Sequence, residues 1–261
     1  MSDHCAASEV AGAPDCHCGS SSSKTLVSGA LRVALAGAPN AGKTSIYNAL
    51  TGLHAKTGNY PGVTVARSLG TCRIGETSLT IEDLPGAYSL DPISPDEQVV
   101  RDVLTDASQS ISVPDALVVV VDATTLRRGL NFVAEALALE LPTCLVVTMT
   151  DELTRRAGRL DVAALGQALG IPAVRVVGNR GIGIPELREH LTEIPDWQRP
   201  PLPAPTAPTE VASWADSILG AADYQAPQQD RITTAVDRIL LNPVLGSLVF
   251  FAIMYVFFQA I

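Results

Sequence analysis

The chain has 261 residues, 47% of them hydrophobic and 17% charged, and its 18 Lys and Arg against 27 Asp and Glu leave a formal net charge of −9. That apolar content suffices for a large core in one or two domains and excludes disorder throughout. The acidic balance lacks the basic field that sequence-independent nucleic-acid binding needs, so no nucleic-acid partner is expected.

Residues 1–29 open with MSDHCAASEVAGAPDCHCGSSSSK, a small, polar, Ser-rich stretch expected to be a disordered leader. It contains no apolar run of secretory type, so everything before residue 242 is expected on the cytoplasmic side. Five Cys is an odd count, and a reducing compartment gives no reason for a disulfide framework. His4, Cys5, Cys16, His17 and Cys18 are ligand types suited to a transition metal, but their spacing matches no structural zinc pattern. Cys72 and Cys144 lie in strand-like runs and read as small core residues.

The run LRVALAG (31–37) breaks at Gly37 and leads into APNAGKTSIYNAL, a strand, a loop and a helix. Gly37, Ala38, Pro39, Asn40, Ala41, Gly42, Lys43 and Thr44 fill the pattern G-x-x-x-x-G-K-[ST] in that strand-to-helix context. The chemistry is specific to polyphosphate. Glycines let successive backbone N–H groups turn inward, the helix presents its positive end, Lys43 supplies a point charge and Thr44 offers a hydroxyl to Mg²⁺.

Downstream, Asn59-Tyr60-Pro61 leads into Gly62, Val63, Thr64, Val65 and Ala66, a turn-rich loop before a strand. There Thr64 is placed to bring a hydroxyl to Mg²⁺ and its N–H to a γ-phosphate. TSLTIEDLPG (77–86) is a strand that ends in Asp83, Leu84, Pro85 and Gly86, the D-x-x-G arrangement in which the Asp holds Mg²⁺ through water and the Gly N–H senses the γ-phosphate. TCLVVTMTDEL (143–153) is another buried strand, and Thr148, Met149, Thr150 and Asp151 fall where GTPases carry N-K-x-D. Asp151 can accept hydrogen bonds from the ring N–H and exocyclic amine of guanine, a pattern adenine does not offer. Thr148 stands in the Asn position, so a base-contacting and loop-bridging amide is expected to be missing. Val177, Gly178 and Asn179 follow a last strand and are expected to approach the base with backbone N–H groups.

The other segments complete the plan. Ser94-Pro95-Asp96-Glu97 is a capping box that opens a helix through about Asp106. A strand at 116–122, a helix at 125–139, a strand at 143–149, a helix at 161–169, a strand at 173–177 and a helix at 184–193 follow. Strands alternating with helices predict an α/β phosphate-loop domain over 30–194 with a mainly parallel sheet. PDWQRPPLPAPTAP (195–208) holds six Pro and marks a linker. ASWADSILGAADY and QDRITTAVDRILL predict a small helical domain over 209–241, either a spacer or a coupler. Residues 244–261, VLGSLVFFAIMYVFFQAI, carry no charge and hold four of the five Phe. As an uncharged helix of near-spanning length, 242–261 is expected to be the start of a transmembrane segment, the rest of which lies further on.

Together these motifs resemble the N-terminal cytoplasmic part of the ferrous iron transport protein B (FeoB) family, from about Leu31 to the end. The resemblance rests on GAPNAGKTSIYNALTG, GNYPGVTVARSLG, IEDLPGAYSLDPISPDEQVV and VDATTLRRGL, in the family's order and spacing. It implies a GTPase domain, a helical domain that restrains or relays nucleotide state, and an inner-membrane part that carries Fe²⁺. It also implies that Asn40 ligates a K⁺ bridging the phosphates, so that Asn40, Lys43, Thr64 and Gly86 carry catalysis. Ala87 follows Gly86 where Ras-like enzymes carry a water-positioning Gln, and slow intrinsic turnover is expected. Thr148, and Gly178 where the family often has Ser, predict weakened guanine affinity and tolerance of ATP. Two other readings are a soluble regulatory GTPase for RNA work, which predicts a basic appendage, and an interaction module that binds nucleotide with little hydrolysis. The sequence leaves the oligomeric state open, a homo-oligomer included.

Overall fold

Alternation along the first strand sets the layering. In β1 (Leu31–Gly37) Val33 and Leu35 join one apolar cluster, and Ala34 and Ala36 join another on the opposite face. The computed structural model describes residues 31–53, 55–60, 63–75, 77–105, 112–197, 204–228 and 240–260. The leader, Pro61, Gly62 and most of the expected helix over 229–241 lie outside these residues.

Seven strands form one sheet in the order β2-β3-β4-β1-β5-β6-β7. They are β1, β2 (Ala55–Asn59), β3 (Ala66–Ile74), β4 (Thr77–Asp83), β5 (Ala116–Asp122), β6 (Thr143–Thr148) and β7 (Ala173–Arg175). The run β4-β1-β5-β6-β7 is parallel, while β2-β3 and β3-β4 are antiparallel. β5 is buried through Val121 and β6 throughout, as a strand covered on both faces must be. The mainly parallel α/β sheet expected from the sequence is present, with a short hairpin added at one edge.

Helices cover both faces. α1 (Lys43–Thr51) and α6 (Ile184–Thr192) pack Ile46, Tyr47, Leu50, Leu187 and Leu191 on one side. α2 (Pro95–Thr105), α3 (Leu126–Leu137), α4 (Thr150–Arg155) and α5 (Val162–Leu169) lie on the other. The capping box is realised: the Glu97 backbone N–H donates to Ser94 Oγ at 3.3 Å, and the Glu97 carboxylate accepts from Ile93 N and Tyr88 N.

α7 (Pro208–Ala221) departs from the expected separate helical domain. Its stripe of Val211, Ala215, Ile218 and Leu219 belongs to the same core cluster as α3 and α5. A single amphipathic helix cannot bury its own apolar face, and here the face is buried on the nucleotide-type domain itself. Arg127 Nε and Nη2 each meet Asp216 at 2.8 Å across the seam. α8 (Pro243–Ala260) is apolar all round, with Val244, Leu248, Phe251, Ile253 and Phe258 exposed. At 18 residues it runs about 27 Å, against the roughly 30 Å of a hydrocarbon core. Among the described residues no helix is long and apolar enough to cross a membrane.

Candidate functional site

The loop from Gly37 to Lys43 leaves the carboxyl end of the central strand β1, where parallel sheets hold phosphate sites. Gly37 adopts φ 142°, and a Cβ there would sit 2.1 Å from the Val120 carbonyl oxygen on the neighbouring strand. Gly42 caps α1 at φ 90°, again in the left-handed region. Lys43 is 7% exposed, and its ammonium donates to Gly37 O and Ala38 O, both at 3.0 Å. Burial pulls its pKa below the usual 10.5, and the nearby Asp83 carboxylate opposes that shift.

Asp83 ends β4 beside this loop. Its Oδ2 accepts from Thr44 Oγ1 at 3.2 Å, while its Oδ1 is buried with no hydrogen-bond partner. Burial raises the Asp83 pKa above 3.8, against the lowering effects of Lys43 and Thr44. The unpartnered carboxylate oxygen and the neighbouring threonine hydroxyl are hard oxygen donors of the kind a divalent cation takes. Gly86 packs on the phosphate loop so tightly that a Cβ would lie 2.7 Å from Pro39 Cγ.

One open cleft of about 490 Å³ gathers Pro39, Asn40, Lys43, Thr44, Thr64, Val65, Ala66, Asp83, Leu84, Pro85 and Gly86. Eleven expected phosphate and metal residues thus share a single hollow. Ser68 and Asp96 also line it; Ser68 carried no motif, and Asp96 was marked only as part of the capping box. Asn40 is exposed at its mouth with φ 61°. Val63 is described nearby, whereas Gly62 lies outside the described residues.

The expected base-reading residues lie apart from that lining. Met149 caps α4 at φ 54°, and Thr150 and Asp151 form its first turn. Val177 and Gly178 open a 3₁₀ turn that includes Asn179. A Cβ on Gly178 would come 3.1 Å from Ser45 Cβ, so this turn rests on α1. The amide of an Asn is absent at position 148, yet the hydroxyl of Thr148 reaches the same loops, its Oγ1 lying 2.8 Å from Ala41 O and 3.0 Å from Val121 O. Thr148 stands close beside the loop: a Cβ added to Gly42 would meet its Cγ2 at 3.6 Å.

The segment after Gly86 is tied down by α3. Arg128 of α3 stacks over Tyr88 with its guanidinium 4.0 Å from the ring centroid. Glu135 of α3 accepts from Ser89 Oγ at 2.9 Å and from the Leu90 backbone N–H. Ala87 is fully buried in the core beneath, and its N–H donates to Gly37 O.

A glycine-bounded phosphate loop at the end of a central parallel strand, facing a D-x-x-G turn, defines the class: a phosphate-loop α/β domain of GTPase type. The family model described as ferrous iron transport protein B matches residues 31–191. The chain belongs to that family. The Fe²⁺ transport protein A/Fe²⁺ transporter fusion protein of Porphyromonas gingivalis is 42% identical over 164 residues, covering 63% of this chain and 19% of its own length. The chain thus spans about a fifth of that relative. The cytosolic domain of the L. pneumophila FeoB protein superposes with a TM-score of 0.62 at 32% identity, covering 67% of each chain. The GDP form I of the cytosolic domain of the T. maritima FeoB iron transporter superposes at 0.58 with 36% identity, covering 63% of this chain and 62% of its own.

Proposed function

We propose that this chain binds GTP and GDP in the 490 Å³ cleft, hydrolyses GTP, and serves as the cytoplasmic nucleotide-driven part of an inner-membrane Fe²⁺ transporter. The observation that carries the reading is the convergence of Lys43, Thr44 and Asp83 on one hollow, with an acid oxygen left unpartnered. The GDP-bound form of the T. maritima relative supports the choice of nucleotide.

Lys43 is held by two loop carbonyls and is poised to exchange them for phosphate oxygens. The residues fit Mg²⁺: Thr44, Asp83 and Thr64 offer hard oxygen ligands, and Asp83 Oδ1 has no competing partner. When bound there, Mg²⁺ neutralises charge that develops on the phosphates. Asn40 at the mouth is the residue we assign to K⁺. Gly86 meets the phosphate loop directly, so its N–H is available to a γ-phosphate at that end. No side chain at position 87 can position water, because Ala87 faces the core, and turnover is slow for that reason.

Asp151 reads guanine through its carboxylate, aided by backbone N–H groups of the 177–179 turn. Thr148 spends its single hydroxyl proton on carbonyls and adds nothing to the base, which weakens guanine affinity and narrows the margin over ATP. α8, uncharged and exposed on every side, is the beginning of the membrane anchor.

Two measurements test this. Phosphate release from GTP with and without K⁺ should be slow and faster with K⁺; no release in either condition overturns the enzyme reading in favour of a nucleotide-binding interaction module. Competition among GTP, GDP and ATP should show a modest preference, and a thousandfold preference for GTP defeats relaxed base selection.

A further inference from the structure

Glu82 stands one residue before Asp83 in β4 and has no exposed surface. No other acidic side chain is buried among the described residues. Its Oε2 accepts from Arg32 Nε at 2.8 Å and Nη2 at 2.5 Å, both from β1. Its Oε1 accepts from Arg67 Nε on β3 at 2.8 Å and from the Tyr60 hydroxyl, just past β2, at 3.0 Å. The Arg67 guanidinium also lies 5.6 Å from the centroid of the Tyr60 ring.

Tyr60 and Arg67 bracket Thr64. The Tyr60 N–H donates to Val65 O at 3.0 Å, and the Val63 N–H donates to Tyr60 O at 3.3 Å. The two stems of the Thr64 loop therefore meet on one carboxylate oxygen, and the residue that bears it immediately precedes Asp83 in the chain. Alternation along β4 sends Asp83 toward the cleft and Glu82 to the other face. A buried carboxylate with two guanidinium partners is a poor device for stability alone, since apolar residues of similar volume serve as well or better. What it supplies is fixed geometry among the elements it joins.

We propose that Glu82 is a positioning residue that clasps both stems of the Thr64 loop and holds Thr64 at the Asp83 end of the cleft. The inference rests on the nucleotide reading above and adds a specificity to it. A γ-phosphate needs Thr64 in place, whereas a diphosphate does not reach it. The clasp therefore favours the triphosphate over the diphosphate.

The test is the affinity of the 261-residue chain for GDP and for a non-hydrolysable GTP analogue, both in Mg²⁺, in the wild type, Tyr60→Phe, Arg67→Met and the double variant. Tyr60→Phe removes one hydroxyl, keeps the ring and leaves Glu82 three donors, so the fold is retained. Analogue affinity should fall about five- to tenfold in each single variant, with GDP affinity unchanged within about twofold. The double variant should lose less than the product of the two, because both act through one carboxylate. Equal weakening of both nucleotides is the signature of a purely structural role and overturns the inference, as does an unchanged or tightened analogue affinity. A wild-type chain that binds neither nucleotide overturns the nucleotide reading itself, and the two failures are thereby distinguished.

Discussion

Thr148→Val removes a hydroxyl and keeps the shape of the side chain. Thr148 is 3% exposed, and its Oγ1 lies 2.8 Å from Ala41 O in the phosphate loop and 3.0 Å from Val121 O at the end of β5. Valine leaves the loop carbonyl facing a methyl group, and a buried acceptor that loses its donor costs about 1–3 kcal/mol. Taking about 2 kcal/mol, and about 2–4 °C per kcal/mol for a folded body of this size, the nucleotide-free variant should melt about 4–8 °C below the wild type. Ordering the loop then falls to the nucleotide, so affinity should drop by no more than about thirtyfold, the factor that about 2 kcal/mol allows. Because the bond runs to the loop and not to the base, GTP and ATP should lose affinity by the same factor. Thermal melting without nucleotide, followed by competition titrations with GTP and ATP, measures both effects. An unchanged melting point combined with unequal losses for GTP and ATP would show that the hydroxyl contacts the base, and would refute the assignment.

Asp83→Asn separates stability from binding. Burial raises the folded-state pKa of Asp83 above 3.8, so the ionised carboxylate costs stability above that folded value, and the cost is released as pH falls through it toward 3.8. The variant, uncharged at every pH, should melt at or above the wild type near neutrality while losing Mg²⁺-dependent nucleotide binding. Calorimetry from pH 4 to pH 8 checks it, and a clear drop in melting temperature near neutrality counts against the reasoning. For α7, Ile218→Ala should cost about 2–3 kcal/mol, since Ile218 is buried in the shared core. Arg127→Ala should cost less than about 1 kcal/mol, its pair with Asp216 being 61% and 58% exposed. Denaturant unfolding of both variants decides whether the apolar face or the ion pair holds the helix, and the reverse order of effects would refute apolar docking.

The strands of the sheet centre were legible because β1 from Val33 onward, β5 and β6 are apolar runs that end at turn or motif residues, and burial on both faces demands such runs. β2 was missed because AKTGN is a polar edge strand held only by its pairing with β3, and pairing leaves no mark on composition. α4 was missed because TDELTR is one and a half turns of polar sequence whose start depends on Met149 entering the left-handed region. The residues gathered in the cleft were legible because the motifs fix residue types at set spacings. The loop-bridging role of Thr148 was not, since a motif template scores threonine as a mismatch and does not see the 2.8 Å that separates it from Ala41. Glu82 carried a signal that went unused: a carboxylate inside TSLTIED, where the neighbouring Leu79 and Ile81 are fully buried, must find cations.

Those two missed residues have a common logic with Lys43. Each is a buried polar side chain whose bonds run to a loop around the cleft: Lys43 to the carbonyls of Gly37 and Ala38, Thr148 to Ala41, and Glu82 to Tyr60 and Arg67 on either side of Thr64. The loops themselves have little apolar surface with which to hold a shape, since Pro39, Asn40, Val63 and Thr64 are exposed. Their order is therefore set by a few hydrogen bonds, each costly to leave unmade in a buried setting. On the proposed function, Lys43 and Asp83 differ from the other two in having positions that a phosphate or a cation would take, whereas the bonds of Thr148 and Glu82 tie loop to sheet. On that proposal the site combines fixed ties, which keep the loops placed, with exchangeable ones, which a ligand would displace. Substitutions at the first kind should alter stability or the triphosphate-to-diphosphate ratio, and substitutions at the second should abolish binding.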